Sequence, residues 1–284
     1  MAKSLHIACI QSQPNSSIDD ALSEALNLAK SAVSKGAEFL FFPEYCGGLM
    51  SENGKLRPPA MPENTHPFLL GMQNFSKQNN IWIMIGSIAV TAQGGKIFNR
   101  GFVLDSAGEI ISRYDKIHMF DIQLSPDQII RESAFVSPGS EASVMKTPFG
   151  LIGHSICYDL RFPELYRKMA QAGAEIMCVP AAFTKKTGEA HWHILNRARA
   201  IENGVFIIAP CSIGKVSGGG EAYGHSLIIN PWGQIMADGG EEPGIIYAKI
   251  NLNEVSEARN KIPSLTHDRS FTTTVKNKDY RSVA

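Results

Sequence analysis

No hydrophobic run in this sequence is long enough to cross a bilayer. The longest, Ile81 to Val90, is about half of the roughly 20 residues that a span requires. Neither sign of charge is in excess: 27 Lys and Arg offset 27 Asp and Glu, and charged residues make up only 19 % of the chain. That balance excludes the basic stripe which a nucleic-acid or anionic-membrane partner demands. The cysteines (Cys9, Cys46, Cys157, Cys178 and Cys211) are odd in number and include no CxxC pair, so neither a disulfide framework nor a zinc ribbon is indicated. Gly218 to Gly220 is no phosphate loop, because no Lys-Ser/Thr follows it. The first apolar stretch, Leu5 to Ile10, is broken by His6 and too short for a signal sequence, which sets the expectation of a cytoplasmic protein. No internal repeat, low-complexity block or linker divides the chain. The expectation is one domain over residues 1–270 followed by a C-terminal tail, 271–284. The low charge content also suggests apolar surface covered by a second subunit.

What is present is an alternation of strands and helices. Leu5 to Gln11 reads as a buried strand. A helix capped by Ser17 follows, with Leu22, Ala25, Leu26, Ala29 and Val33 on one face and Gly36 as its stop. Glu38 to Phe42 reads as a short strand ended by Pro43, Phe68 to Asn80 as a helix and Ile81 to Val90 as a strand. Hairpins are expected over Phe98 to Lys116 and over Ser143 to Ile156. The second half continues with a helix over Pro163 to Ala172, a strand at Glu175 to Val179, a helix over Glu189 to Asn203 and a strand at Val205 to Ala209. Strands at His225 to Asn230, Gln234 to Asp238 and Ile245 to Ile250 complete the pattern. Residues 211–222 read as a mobile loop, and the chain beyond Pro263 as irregular. This is an α/β pattern with two sheets and helices on their outer faces.

Three reactive residues stand at the ends of apolar strands: Glu44 after Phe39 to Phe42, Lys116 after Arg113 to Asp115, and Cys157 after Leu151 to Ile156. A charged group at such a place must find partners or change its protonation. Strand ends on one sheet edge are where α/β folds bind ligands. Taken singly, each also has an ordinary structural reading: a small buried hydrophobe for Cys157, a turn acid for Glu44, a strand-edge guard for Lys116. A His154–Cys157 dyad is disfavoured, since an odd separation along a strand places them on opposite faces. His191 and His193, two apart on a helix, make a poor metal pair, and Trp192 reads as helix packing.

Together with their surroundings these residues resemble the nitrilase superfamily of carbon–nitrogen hydrolases, from the Leu5 strand to about Arg269. The matching blocks are Phe42-Pro43-Glu44, Arg113-Tyr114-Asp115-Lys116-Ile117-His118 and Cys157-Tyr158-Asp159-Leu160-Arg161-Phe162-Pro163-Glu164. Ala190-His191-Trp192, Arg197 to Asn203, Tyr223-Gly224-His225-Ser226 and Pro231-Trp232-Gly233 add to them. The resemblance implies a four-layer α-β-β-α sandwich with two mixed sheets, in homodimers or higher homo-oligomers that pack helix layer to helix layer. It places the Glu–Lys–Cys triad on Glu44, Lys116 and Cys157, and a second glutamate on Glu132. Within the superfamily the chain is most similar to the branch of deaminated glutathione amidases and omega-amidases. The alternatives are an N-carbamoyl amino-acid hydrolase or a nitrilase, although nitrile-cleaving members usually carry Trp where this chain has Tyr158.

The implied reaction is hydrolysis of a small carboxylate-bearing amide to acid and ammonia through a thioester. Glu44 would be the general base, a task that asks burial to raise its affinity for a proton. Lys116 and the Tyr158 N–H would stabilise the oxyanion, with Glu132 offsetting the desolvation of the ammonium. No metal or organic cofactor is implied. Arg161 is a candidate for binding the substrate carboxylate, against an ion pair with Asp159 or Glu164. Phe183 and Thr184 are candidates for the pocket wall.

Overall fold

Alternate residues along the strands face two different apolar layers, and this determines the architecture. In the computed structural model, which describes residues 4–52, 55–125 and 128–275, β1 (Leu5–Gln11) directs Ile7 and Cys9 into one buried cluster and Ala8 and Ile10 into another. β2 (Phe39–Phe41) divides in the same way, with Phe39 and Phe41 on one side and Leu40 on the other. A strand buried on both faces lies between two layers. The following strands are β3 (Trp82–Thr91), β4 (Ile97–Leu104), β5 (Ile110–Asp115), β6 (Val144–Thr147), β7 (Gly150–His154) and β8 (Ile176–Cys178). β9 (Phe206–Ala209), β10 (Leu227–Ile229), β11 (Ile235–Asp238) and β12 (Gly244–Ile250) complete two six-stranded sheets. Their orders are β12-β1-β2-β3-β4-β5 and β6-β7-β8-β9-β10-β11.

Parallel neighbours need a crossover, and helices supply it. α1 (Ile18–Ser34) and α2 (Pro67–Asn79) connect the parallel strands of the first sheet and cover its outer face. α3 (Pro163–Gln171) and α4 (Lys185–Asn203) do the same for the second. Ser17 caps α1 by accepting the Asp20 N–H at 3.1 Å. Between the sheets, Ile7, Phe39 and Met84 pack against Ile176, Phe206 and Ile228. The result is the four-layer α-β-β-α sandwich with two mixed sheets that the resemblance implies.

Several sequence expectations change. Although the sequence shows no internal repeat, the topology does: pairing across each sheet runs antiparallel, parallel, parallel, antiparallel, antiparallel. Helix α4 begins at Lys185, four residues before the expected Glu189. Gly188, just ahead of the expected start, lies within the first turns, where a side chain would collide with the Tyr223 ring at 2.3 Å. The expected loop at 211–222 contains a hairpin, Ile213–Lys215 with Glu221–Tyr223. Its Gly218 allows close approach, since a Cβ there would stand 1.7 Å from the Ser51 carbonyl oxygen. A helix missed in the sequence, α5 (Asn253–Lys261), follows β12. Of the tail expected from residue 271, residues 271–275 are exposed and irregular, and the rest lies outside the described residues.

Candidate active site

The two sheets meet closely at a glycine. A Cβ on Gly86 of β3 would lie 2.1 Å from the Phe42 carbonyl oxygen and 2.4 Å from the Pro180 side chain, so only glycine lets the end of β2 approach the segment after β8. Glu44 is carried across that junction, and its Oε2 accepts the Ala182 N–H at 2.8 Å. Gly101 on β4 leaves similar room for the His154 ring.

Lys116, the residue after β5, lies between two acids. Its Nζ is 2.9 Å from Glu44 Oε1 and 2.9 Å from Glu132 Oε2, and all three side chains are buried. Asn99 of β4 donates to Glu44 Oε1 at 2.8 Å, and the Phe120 N–H donates to Glu132 Oε2 at 2.6 Å. The Tyr45 hydroxyl reaches Glu132 at 3.4 Å. Burial alone would lower the proton affinity of the ammonium. The neighbouring Glu132 and Glu44 carboxylates reverse that and hold Lys116 well above the usual lysine value.

Cys157 opens a short 3-10 turn, Cys157–Arg161, three residues after β7 ends at His154. Its φ of 50° is left-handed, a strained conformation for a side chain other than glycine. Two buried side chains hold the turn. Asp159 accepts from the Ile156 N–H at 2.8 Å, the Tyr114 hydroxyl at 2.7 Å and the His118 N–H at 3.0 Å, which ties the turn to the strand that carries Lys116. Arg199 of α4 grips the Leu160 carbonyl at 2.7 and 3.1 Å. Burial, and then the Glu44 charge, push the Cys157 thiol well above its usual value, while Lys116 pulls the other way. The resting group is therefore a thiol, with Glu44 acting on it both as a charge and as hydrogen-bond acceptor. The turn's first bond is Asp159 N–H to the Ile156 carbonyl at 3.1 Å, so the Tyr158 N–H precedes the bonded register.

A cavity of about 410 Å³ adjoins the turn, lined by Phe120, Gln123, Tyr158, Arg161, Thr187 and His191 among others. Among the described residues Arg161 pairs with neither Asp159 nor Glu164. Asp159 is committed as above, Glu164 bonds Lys168, and the Arg161 guanidinium instead meets His191 Nδ1 at 3.2 Å. Phe183 is buried between Arg161 and Trp192, and Thr184 bonds Thr187 at the start of α4. The lining of the cavity passes from these two to Thr187 and His191. His154 is no partner for Cys157: its Nε2 meets the Gly86 carbonyl at 3.2 Å and its ring stacks on Tyr114. The sequence reading missed Asn99, Tyr45, Asp159 and Arg199. The one available signal was a polar residue, Asn99, at an inward position of β4.

The site brings a buried thiol on a strained turn together with buried carboxylates and an ammonium. The chain belongs to the carbon–nitrogen hydrolase family, whose model matches residues 6–260. It is 38 % identical over 265 residues to a deaminated glutathione amidase of Synechocystis sp., covering 92 % of this chain and 96 % of that one. It is 33 % identical over 267 residues to omega-amidase NIT2 of Homo sapiens, covering 94 % and 96 %. Among solved structures, Saccharomyces cerevisiae Nit3, a member of branch 10 of the nitrilase superfamily, superposes with a TM-score of 0.82 at 29 % identity, covering 95 % and 97 %. The C. elegans NitFhit protein gives 0.86 at 30 %, covering 95 % of this chain and 66 % of that one.

Proposed function

We propose that this protein is a cysteine-dependent amidase that hydrolyses a small carboxylate-bearing amide, such as deaminated glutathione or a similar omega-keto-amide, to the acid and ammonia. The observation that carries the reading is the convergence of Cys157, Glu44 and Lys116 from three strand ends. Glu44 takes the thiol proton as sulfur attacks the amide carbon. The oxyanion that forms is stabilised by the Lys116 ammonium and the Tyr158 N–H. Glu44 returns its proton to the leaving nitrogen, the C–N bond breaks, and ammonia departs from a thioester. Glu44 then removes a proton from water as it attacks the thioester, and passes it to the departing sulfur. Glu132 keeps Lys116 charged throughout, so no step requires a metal or organic cofactor.

Arg161, which has no acidic partner among the described residues and faces the cavity, is proposed to bind the substrate carboxylate beside His191. Phe183 supports the guanidinium from beneath. A homodimer through the α4 layer is proposed from the exposed apolar side chains Ile194, Ile201, Trp232 and Ile262, the last three of which line one shallow apolar pocket. Light scattering tests it. A cytoplasmic location is proposed because all five cysteines are free thiols, as a reducing compartment keeps them. Among the described residues, no helix is long and apolar enough to cross a membrane.

The experiment is ammonia release from deaminated glutathione, α-ketoglutaramate, an N-carbamoyl amino acid and a nitrile, with Cys157→Ala as control. The keto-amides are expected to be hydrolysed. Inertness towards all four, or activity that survives Cys157→Ala, overturns the proposal.

A further inference from the structure

Outside the catalytic cluster, three side chains from three elements bring metal-type donors together. His193 on α4, His225 in the turn before β10 and Asp238 at the end of β11 place their donor atoms within 4.8 Å of one another. His193 Nε2 lies 2.9 Å from Asp238 Oδ2, and His225 Nδ1 lies 2.9 Å from Oδ1. The Gly240 N–H donates to the same Oδ1 at 2.9 Å, which fixes the carboxylate. Tyr223 stacks on the His225 ring at 4.7 Å and restricts its rotation.

Two observations set this apart from an ordinary histidine–aspartate pair. His225 is held at a φ of 51°, directly after Gly224 at 76°. Strain of that kind in a side chain other than glycine persists only where the surroundings impose it, and it clusters at functional positions. The neighbourhood is also acidic. Glu189 lies one turn before His193 on α4, and Glu241 follows Asp238 by three residues. The nearby Lys185 is paired with Glu221 at 2.8 Å.

We propose that His193, His225 and Asp238 form a site for a divalent transition-metal ion of the zinc type, with water completing the coordination. Two imidazoles and one carboxylate suit such ions better than magnesium or calcium, which prefer oxygen. Bonds of roughly 2.0–2.1 Å to a tetrahedral ion require donor separations of about 3.3 Å. The two imidazoles meet different oxygens of Asp238, each at 2.9 Å, and one donor from each residue lies within 4.8 Å of the others, so both rings must shift by about an ångström to share one ion. The site shares no residue with Cys157, Glu44 or Lys116, and its ion takes no part in the hydrolysis. Binding would tie α4 to the β10–β11 edge of the second sheet.

The test is titration of the chelator-treated full chain with Co²⁺, read by its visible ligand-field absorption, and with Zn²⁺, read by calorimetry and thermal melting. One equivalent per chain is expected, with a rise in melting temperature. Affinity should fall by at least about tenfold in His193→Gln and in Asp238→Asn, and persist in Cys157→Ala, which removes the competing catalytic thiol. Circular dichroism confirms that each variant is folded. Absence of saturable binding, binding undiminished in both His193→Gln and Asp238→Asn, or binding lost in Cys157→Ala overturns the proposal.

Discussion

The first sheet and the second follow the same order of pairings, with two helices bridging the parallel strands of each, yet their strand ends carry different chemistry. In the first, β2 leads into Pro43 and Glu44, and β5 leads into Lys116, so the ends deliver charge. In the second, β7 leads into the strained Cys157 turn and β8 into Pro180, so the ends deliver a thiol and a wall. Neither sheet holds a complete site. The proposed catalytic centre lies where the two meet, and Gly86 sets how closely they can do so. A repeated topology can thus divide an active site between its copies while each copy keeps its own helix layer and core.

The sharpest way to break this division is to remove the second sheet's contribution. Cys157→Ala is expected to lower ammonia release by about 10⁴-fold or more while the melting curve stays close to wild type. Glu44→Gln, which takes the base from the first sheet, should cost a similar factor. Lys116→Met should show its largest effect in stability. Glu44 and Glu132 would be left buried together without a counter-charge, a loss of about 3–5 kcal/mol in chemical denaturation. Adding Glu132→Gln to that variant should recover part of the loss, because one uncompensated acid is then neutral.

The contact itself can be tested through Gly86→Ala. The new methyl group would stand 2.4 Å from the Pro180 side chain, just after β8 of the second sheet, so the sheets must part. A loss of about 1–3 kcal/mol in stability is expected, together with a fall in kcat greater than any change in KM. Arg161→Ala should touch neither sheet's chemistry. It should raise KM for a carboxylate-bearing amide by roughly 10–100-fold and spare a neutral amide of similar size, as loss of a charged hydrogen bond implies. The smallest effect is on pH dependence. Cys157 and Lys116 are both raised in the fold from usual values of 9.0 and 10.5. Above about pH 9 the folded chain therefore holds more protons than the unfolded chain, and stability should fall as pH rises from there.

Most strands and helices were legible in the sequence, because burial on two faces or on one helical stripe leaves a clear period. Helix α5 was not: its sequence is largely polar, and only Val255 and Ala258 are buried. The 213–223 hairpin was hidden by glycines that read as mobility but serve close approach, as at Gly218. The topological repeat left no trace because the same pairing pattern is built from different residues. At the site, Glu44, Lys116 and Cys157 stood out as reactive groups at strand ends, and the resemblance joined them into one centre and added Glu132. Asn99 offered only the signal of a polar residue at an inward position, and neither its partner nor that of Tyr45 could be inferred, since these lie 55 and 87 positions away along the chain. Asp159 and Arg199 act by bracing a turn, a role visible only once the turn's backbone groups are located.

The central claim is that a thiol from the second sheet is acylated under the control of groups from the first. Intact-protein mass spectrometry, on samples acid-quenched within milliseconds of mixing with a keto-amide substrate, tests it most directly. The account predicts a mass increase equal to the acyl group, mapped to Cys157, that decays as the acid appears and does not form in Glu44→Gln. Turnover with no adduct under conditions that preserve thioesters, an adduct on another residue, or normal acylation in Glu44→Gln would contradict it.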